Sequence, residues 1–96
     1  MIILLSKDAL VVQMKRHIRE TKIKLLSGDR CLVIFDFPVG TNQARQSLRV
    51  FLISSGFRRE QLSVWVSDKD VMLSMRALIR LLGIEPWVKI CRAVEV

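Results

Sequence analysis

The chain has 96 residues, 51% of them hydrophobic, and sets 16 Lys and Arg against 9 Asp and Glu for a formal charge of +7. That length suits one domain around one core. The basic balance favours a polyanionic partner, nucleic acid before an anionic membrane. Two cysteines, with no CxxC pair and no histidine cluster, argue against a zinc site and read as reduced thiols in apolar strands. The apolar run Met1–Leu5 is too short to span a bilayer, and it lacks the charge-first order of a signal peptide. The expectation is therefore a cytoplasmic protein with no membrane partner.

Residues 1–28 read as a helical extension. Ser6 suits an N-cap, Asp8 the first turn and Gly28 a C′ stop. Leu4, Val11, Ile18 and Leu25 recur every seven residues, with Met14 near the same line and Lys15, Arg16, Arg19, Lys22 and Lys24 around it. Residues 1–5 also fit a strand. The stripe offers a seam for packing on the same domain or on a partner chain. The single histidine, His17, sits among basic residues with no suitably spaced carboxylate or cysteine, so it has no catalytic role.

After the turn Gly28-Asp29-Arg30, the run Cys31–Pro38 (CLVIFDFP) reads as a buried central strand. Asp36 is the acid placed at its end. Pro38-Val39-Gly40 turns the chain into a helix capped by Thr41 or Asn42. Its core line is Ala44, Leu48, Phe51, Leu52 and Ser55, and Arg45 and Arg49 share another face one turn apart. Gly56 ends it. In Phe57–Ser67 the half Leu62–Ser67 alternates, with Leu62, Val64 and Val66 on one face and Ser63, Trp65 and Ser67 on the other. Ser67 or Asp68 then caps a third helix that buries Val71, Met72, Met75, Leu78, Ile79 and Leu82 and leaves Arg76 and Arg80 outside. Gly83 closes it, Glu85-Pro86 turns, and Trp87–Val96 reads as a last strand. Strands alternating with helices make a sheet with helices on it, here of the α/β (α+β) class. Both helices after residue 40 have one apolar face, so they pack on one side. The other side then needs cover from the first helix or from a second subunit.

Four features in this order carry a resemblance: LVIFDFP at residues 32–38, a helix bearing Arg45 and Arg49 that ends in Gly56-Phe57, the segment Gln61-Leu62-Ser63-Val64-Trp65, and LLGIEPWVKI at residues 81–90. Over roughly residues 30–94 the chain resembles the small CRISPR-associated endonuclease of spacer acquisition. It is more similar still to the related domain of the phenylacetate-degradation repressor (PaaX-like) family, because of the proline after Asp36, the Trp of SVWVS and the ending LLGIEPWVKI. The resemblance implies a ferredoxin-like βαββαβ sandwich over residues 29–96, with residues 1–28 as an extra N-terminal helix. It also implies a split of Phe57–Ser67 into two strands near Gln61, a homodimer, and a C-terminal segment near Ala93–Val96 that extends onto the partner's sheet edge.

Two functions follow. In the first, the Asp36 carboxylates of two subunits hold one Mg²⁺ or Mn²⁺ for phosphodiester hydrolysis, with an integrase-type protein as a further partner. In the second, the domain is a non-catalytic dimerisation and nucleic-acid-binding module of a PaaX-like transcriptional regulator. Its phosphate contacts to DNA or RNA would be Arg45, Arg49, Arg58 and Arg59, with Arg76 and Arg80 behind them.

Overall fold

A computed structural model describes residues 5–94 of the chain. Helix α1 (Lys7–Glu20) starts where the sequence indicates, because Ser6 Oγ accepts the Ala9 N–H at 3.1 Å. It stops earlier than the seven-residue line suggests. At Thr21 the backbone turns extended, and Lys69 Nζ donates to the last carbonyls at Ile18 (3.3 Å) and Arg19 (3.1 Å). Residues 22–26 then run alongside 68–70: the Leu25 N–H donates to Asp68 O at 2.8 Å, and the Asp70 N–H to Ile23 O at 2.9 Å. Val11, Met14 and Ile18 meet the core as helical positions, and Leu25 meets it from this extended segment. Leu4 lies outside the described residues. Gly28, at φ 86°, shapes the turn into the first strand and does not end a helix.

Strand β1 (Asp29–Phe35) alternates, with Cys31, Val33 and Phe35 buried and Leu32 and Ile34 half-exposed between them. It is buried on one face only and ends before Asp36, whose N–H still donates to Trp87 O at 2.9 Å. Helix α2 (Asn42–Ser54) buries Leu48, Phe51 and Leu52. Thr41 holds the N-cap position, yet its hydroxyl donates backwards to Pro38 O at 2.6 Å and caps nothing.

Phe57–Ser67 is a hairpin of β2 (Arg58–Gln61) and β3 (Val64–Ser67), as the family resemblance implies. The continuous alternation over Leu62–Ser67 is therefore corrected: Leu62 is 81% exposed at the tip and shares no face with Val64. Helix α3 (Met72–Leu81) begins later than a cap at Ser67 or Asp68 requires. Both side chains are engaged elsewhere. Ser67 Oγ accepts the Lys69 N–H at 3.1 Å, and Asp68 Oδ2 takes Lys24 Nζ at 2.9 Å. Trp87 belongs to a short 3-10 helix (Glu85–Trp87), so the last strand, β4, is Val88–Val94. Glu95 and Val96 of the expected C-terminal extension lie outside the described residues.

The four strands form one antiparallel sheet in the order β2-β3-β1-β4. This is the βαββαβ arrangement of a ferredoxin-like α+β fold. Ile18, Leu52, Met75 and Leu78 of the three helices share one core with Cys31, Val33, Phe35 and Trp65 of the sheet. The first helix thus lies on the same side as the other two and does not cover the far face. That face carries Leu32, Ile34, Val64, Cys91 and Ala93, all half-exposed. Cys31 points into the core and Cys91, opposite Leu32, points outward, so the two thiols are free and lie on different faces. Among the described residues, no helix is long and apolar enough to cross a membrane.

Candidate nucleic-acid interface

Three elements converge at the end of β1. Asp36 and Phe37 follow the strand. Arg45 and Arg49 project from α2, and Arg59 comes from edge strand β2. Together with Phe35, Leu62 and Ser63 they line one open cleft of about 350 Å³. Two of these positions follow from simple periodicity. Arg45 and Arg49 are four residues apart, so they stand above one another on the helix. Like charges at that spacing cost about 0.2–0.5 kcal/mol.

The expected quartet of arginines does not assemble as a quartet. Arg58 and Arg59 are consecutive in a strand and face opposite ways. Arg59 pairs in register with inward-facing Trp65 and reaches the cleft. Arg58 pairs with Val66 on the far face and forms an ion pair with Glu60 at 3.5 Å. Arg76 and Arg80 serve the fold: Arg76 donates to Ile90 O at 3.2 Å, and Arg80 pairs with Glu85 at 3.3 Å. Within the cleft, Arg45 donates to Asn42 Oδ1 at 3.1 Å. Among the described residues no ion pair joins Asp36 to Arg45, Arg49 or Arg59. The cleft therefore presents three guanidiniums and one exposed carboxylate, none of them neutralised by another.

Arginine forks are suited to phosphate oxygens, which accept two parallel N–H bonds from one guanidinium. A divalent cation is a poorer fit to the donors of one chain. Mg²⁺ takes oxygen ligands, whereas Asp36 is the single carboxylate in the cleft and three cations face the same space. No group of three or more His, Cys, Asp or Glu side chains is arranged for a metal among the described residues.

Sequence reading missed Phe37, Leu62 and Ser63 as cleft residues. The Phe-Asp-Phe triplet held the signal for the first: with the strand ending at Phe35, the second phenylalanine falls outside the ladder. Its ring is held by Phe35 and Trp87, with centroids 5.6 Å away in each case. His17 is exposed, as its basic surroundings suggest. Burial pushes the Cys31 thiol from its ordinary 9.0 up to about 11, against the lowering effect of Arg76, so the reactive thiolate is disfavoured.

The geometry defines a class: a ferredoxin-like α+β domain with three helices on one face of its sheet and an arginine-lined cleft at the end of the central strand. Residues 24–96 match the family model of the PaaX protein central Cas2-like domain. The chain belongs to that family. No curated protein and no solved structure matches it.

Proposed function

We propose that the chain is a homodimeric, nucleic-acid-binding domain of a PaaX-type transcriptional regulator, which holds phosphates in the Arg45–Arg49–Arg59 cleft without cleaving them. The convergence of these three guanidiniums in one cleft, with no acid pairing them, is the observation that carries the reading. A chain charge of +7 adds long-range attraction. Each arginine that replaces a phosphate counterion contributes to the salt dependence of binding, about 0.7 units of slope for single strands and 0.9 for duplex DNA. Binding of labelled oligonucleotides across a salt series tests this. Arg49→Ala and Arg59→Ala should each lower the slope by about that amount, whereas Arg58→Ala, on the other face, should leave it almost unchanged. Equal effects of Arg58→Ala and Arg59→Ala would refute the assignment of the cleft.

The homodimer is supported by the uncovered sheet face. A shallow depression there, about 250 Å³, is lined by Leu32, Val66, Ala93 and Val94 with Arg30, Arg58 and Glu60 around it. A sheet buries its apolar side against another layer, and a second copy supplies one.

One observation favours a second reading, hydrolysis by Mg²⁺ or Mn²⁺. Asp36 is exposed at a strand end, and among the described residues no ion pair takes it up. Two copies would have to bring their Asp36 carboxylates together to complete the ligands. Metal-dependent cleavage of DNA or RNA that disappears in Asp36→Ala would establish it.

A further inference from the structure

A carboxylate inside a phosphate-binding cleft weakens that cleft unless it recognises something of its own. We propose that Asp36 reads the base of an unpaired nucleotide whose phosphates lie on the arginines, and that the base it selects is guanine. This inference rests on the phosphate-binding reading of the cleft.

Three observations support it. Asp36 is exposed, and among the described residues neither an ion pair nor a side-chain hydrogen bond takes up its oxygens, so two parallel acceptors stay available. The next residue offers an aromatic surface. Phe37 is half-exposed on the cleft wall, and its ring is fixed by Phe35 at an interplanar angle of 70° and by Trp87 at 51°. A ring already held this way loses little rotamer freedom when a base stacks on it, and such stacking is how proteins hold single strands. Leu62, 81% exposed and lining the same cleft, adds apolar surface.

The chemistry of the bases makes the selection. Guanine alone places two donors, N1–H and the N2 amine, side by side on its Watson–Crick edge, matching the two oxygens of a carboxylate. Adenine and cytosine offer one amine beside an acceptor nitrogen, which a carboxylate repels. Thymine and uracil flank one N–H with two carbonyls. In a duplex these guanine donors are paired, so the reading applies to single-stranded segments, where bases are recognised on this edge. Asp36 thus acts as a base-reading residue, and the arginines supply the sequence-independent part of the affinity.

The test uses the full chain and short oligothymidylates carrying one central guanine or one central inosine, which lacks the N2 amine. Fluorescence anisotropy with EDTA present should show the guanine strand bound about fivefold or more tightly than the inosine strand, the lower end expected for a bidentate base contact. Asp36→Asn should bring that ratio close to one while binding to plain oligothymidylate is kept or strengthened, since a negative charge leaves the cleft. Unchanged far-ultraviolet dichroism confirms the fold of this exposed-site variant. A wild-type ratio near one, or a ratio that survives Asp36→Asn, overturns the base reading and leaves the phosphate reading standing. A preference that appears only with Mg²⁺ overturns it in favour of a metal at Asp36. Absence of salt-sensitive binding to every strand overturns both readings.

Discussion

The two faces of the sheet are built from interleaved residues of the same strands, and they have opposite fates. On the helix side, Cys31, Val33, Phe35 and Trp65 are buried within one core. On the far side, Leu32, Ile34, Val64 and Cys91 are equally apolar and only half-covered, with Val66 a buried exception among them. The difference teaches that burial here is decided by what packs on a face and not by hydrophobicity. The arginines repeat the lesson, since Arg58 and Arg59 are neighbours in the chain and serve opposite surfaces.

The largest effect that sharpens this comparison comes from truncating the covered face. Trp65 is 3% exposed, and Trp65→Ala should cost about 3–5 kcal/mol in urea unfolding, as large-to-small core changes do. Ile34→Ala, in the adjacent strand and facing the other way, should cost clearly less under conditions where the chain is monomeric. Equal costs would mean that the outer face is not open.

Leu32→Glu is the complementary change. In the proposed dimer, a carboxylate at Leu32 on the shared face should raise the dissociation constant tenfold or more, a loss of about 1.4 kcal/mol or greater. Light scattering should then report monomers at concentrations where the wild type is dimeric, with the secondary structure retained. A wild-type chain that is monomeric throughout would break the dimer proposal directly.

The thiols read the same comparison by chemistry. Cys31 lies on the covered face with its thiol raised from 9.0 to about 11 by burial. A group whose acid form is favoured in the folded chain supports stability fully below its unfolded value. That support is lost as pH rises from about 9 towards 11, because the unfolded thiol ionises first. Cys31→Ser should flatten this alkaline limb. In native protein an alkylating reagent should modify Cys91 first and reach Cys31 only on unfolding.

The smallest effect belongs to the junction of the N-terminal segment. Lys24 and Asp68 pair at 2.9 Å with side chains 66% and 45% exposed. The hydrogen bond from Lys24 holds the Asp68 carboxyl below its ordinary 3.8. A lowered carboxyl stabilises the fold above its unfolded value and loses that contribution as pH falls through the folded one. Exposed pairs are worth about 0–1 kcal/mol, so Lys24→Ala should shift the midpoint only slightly at neutral pH and not at all in acid. A large shift at neutral pH would show that this junction matters more to the fold than its exposure indicates.

Much of the molecule follows from the chain alone. The residues of α2 that face the core, those of α3 apart from Leu82 (37% exposed, just past the helix end), the start of α1 at Ser6 and the strand ending near Asp36 are local matters of periodicity, capping and turn chemistry, which a sequence displays directly. Resemblance to a family supplied the hairpin near Gln61, where no glycine or asparagine marks the bend. What only the tertiary structure decided depends on partners far along the chain. Lys69 and the residues around Asp68 end α1 and draw residues 22–26 into an extended pairing. Engagement of Ser67 and Asp68 by other groups delays α3. The choice of sheet face separates Arg58 from Arg59 and brings Arg59 beside Arg45, Arg49 and Asp36. A side-chain period of two says that neighbours diverge, but which of them meets the helix layer is settled only when the layer is in place.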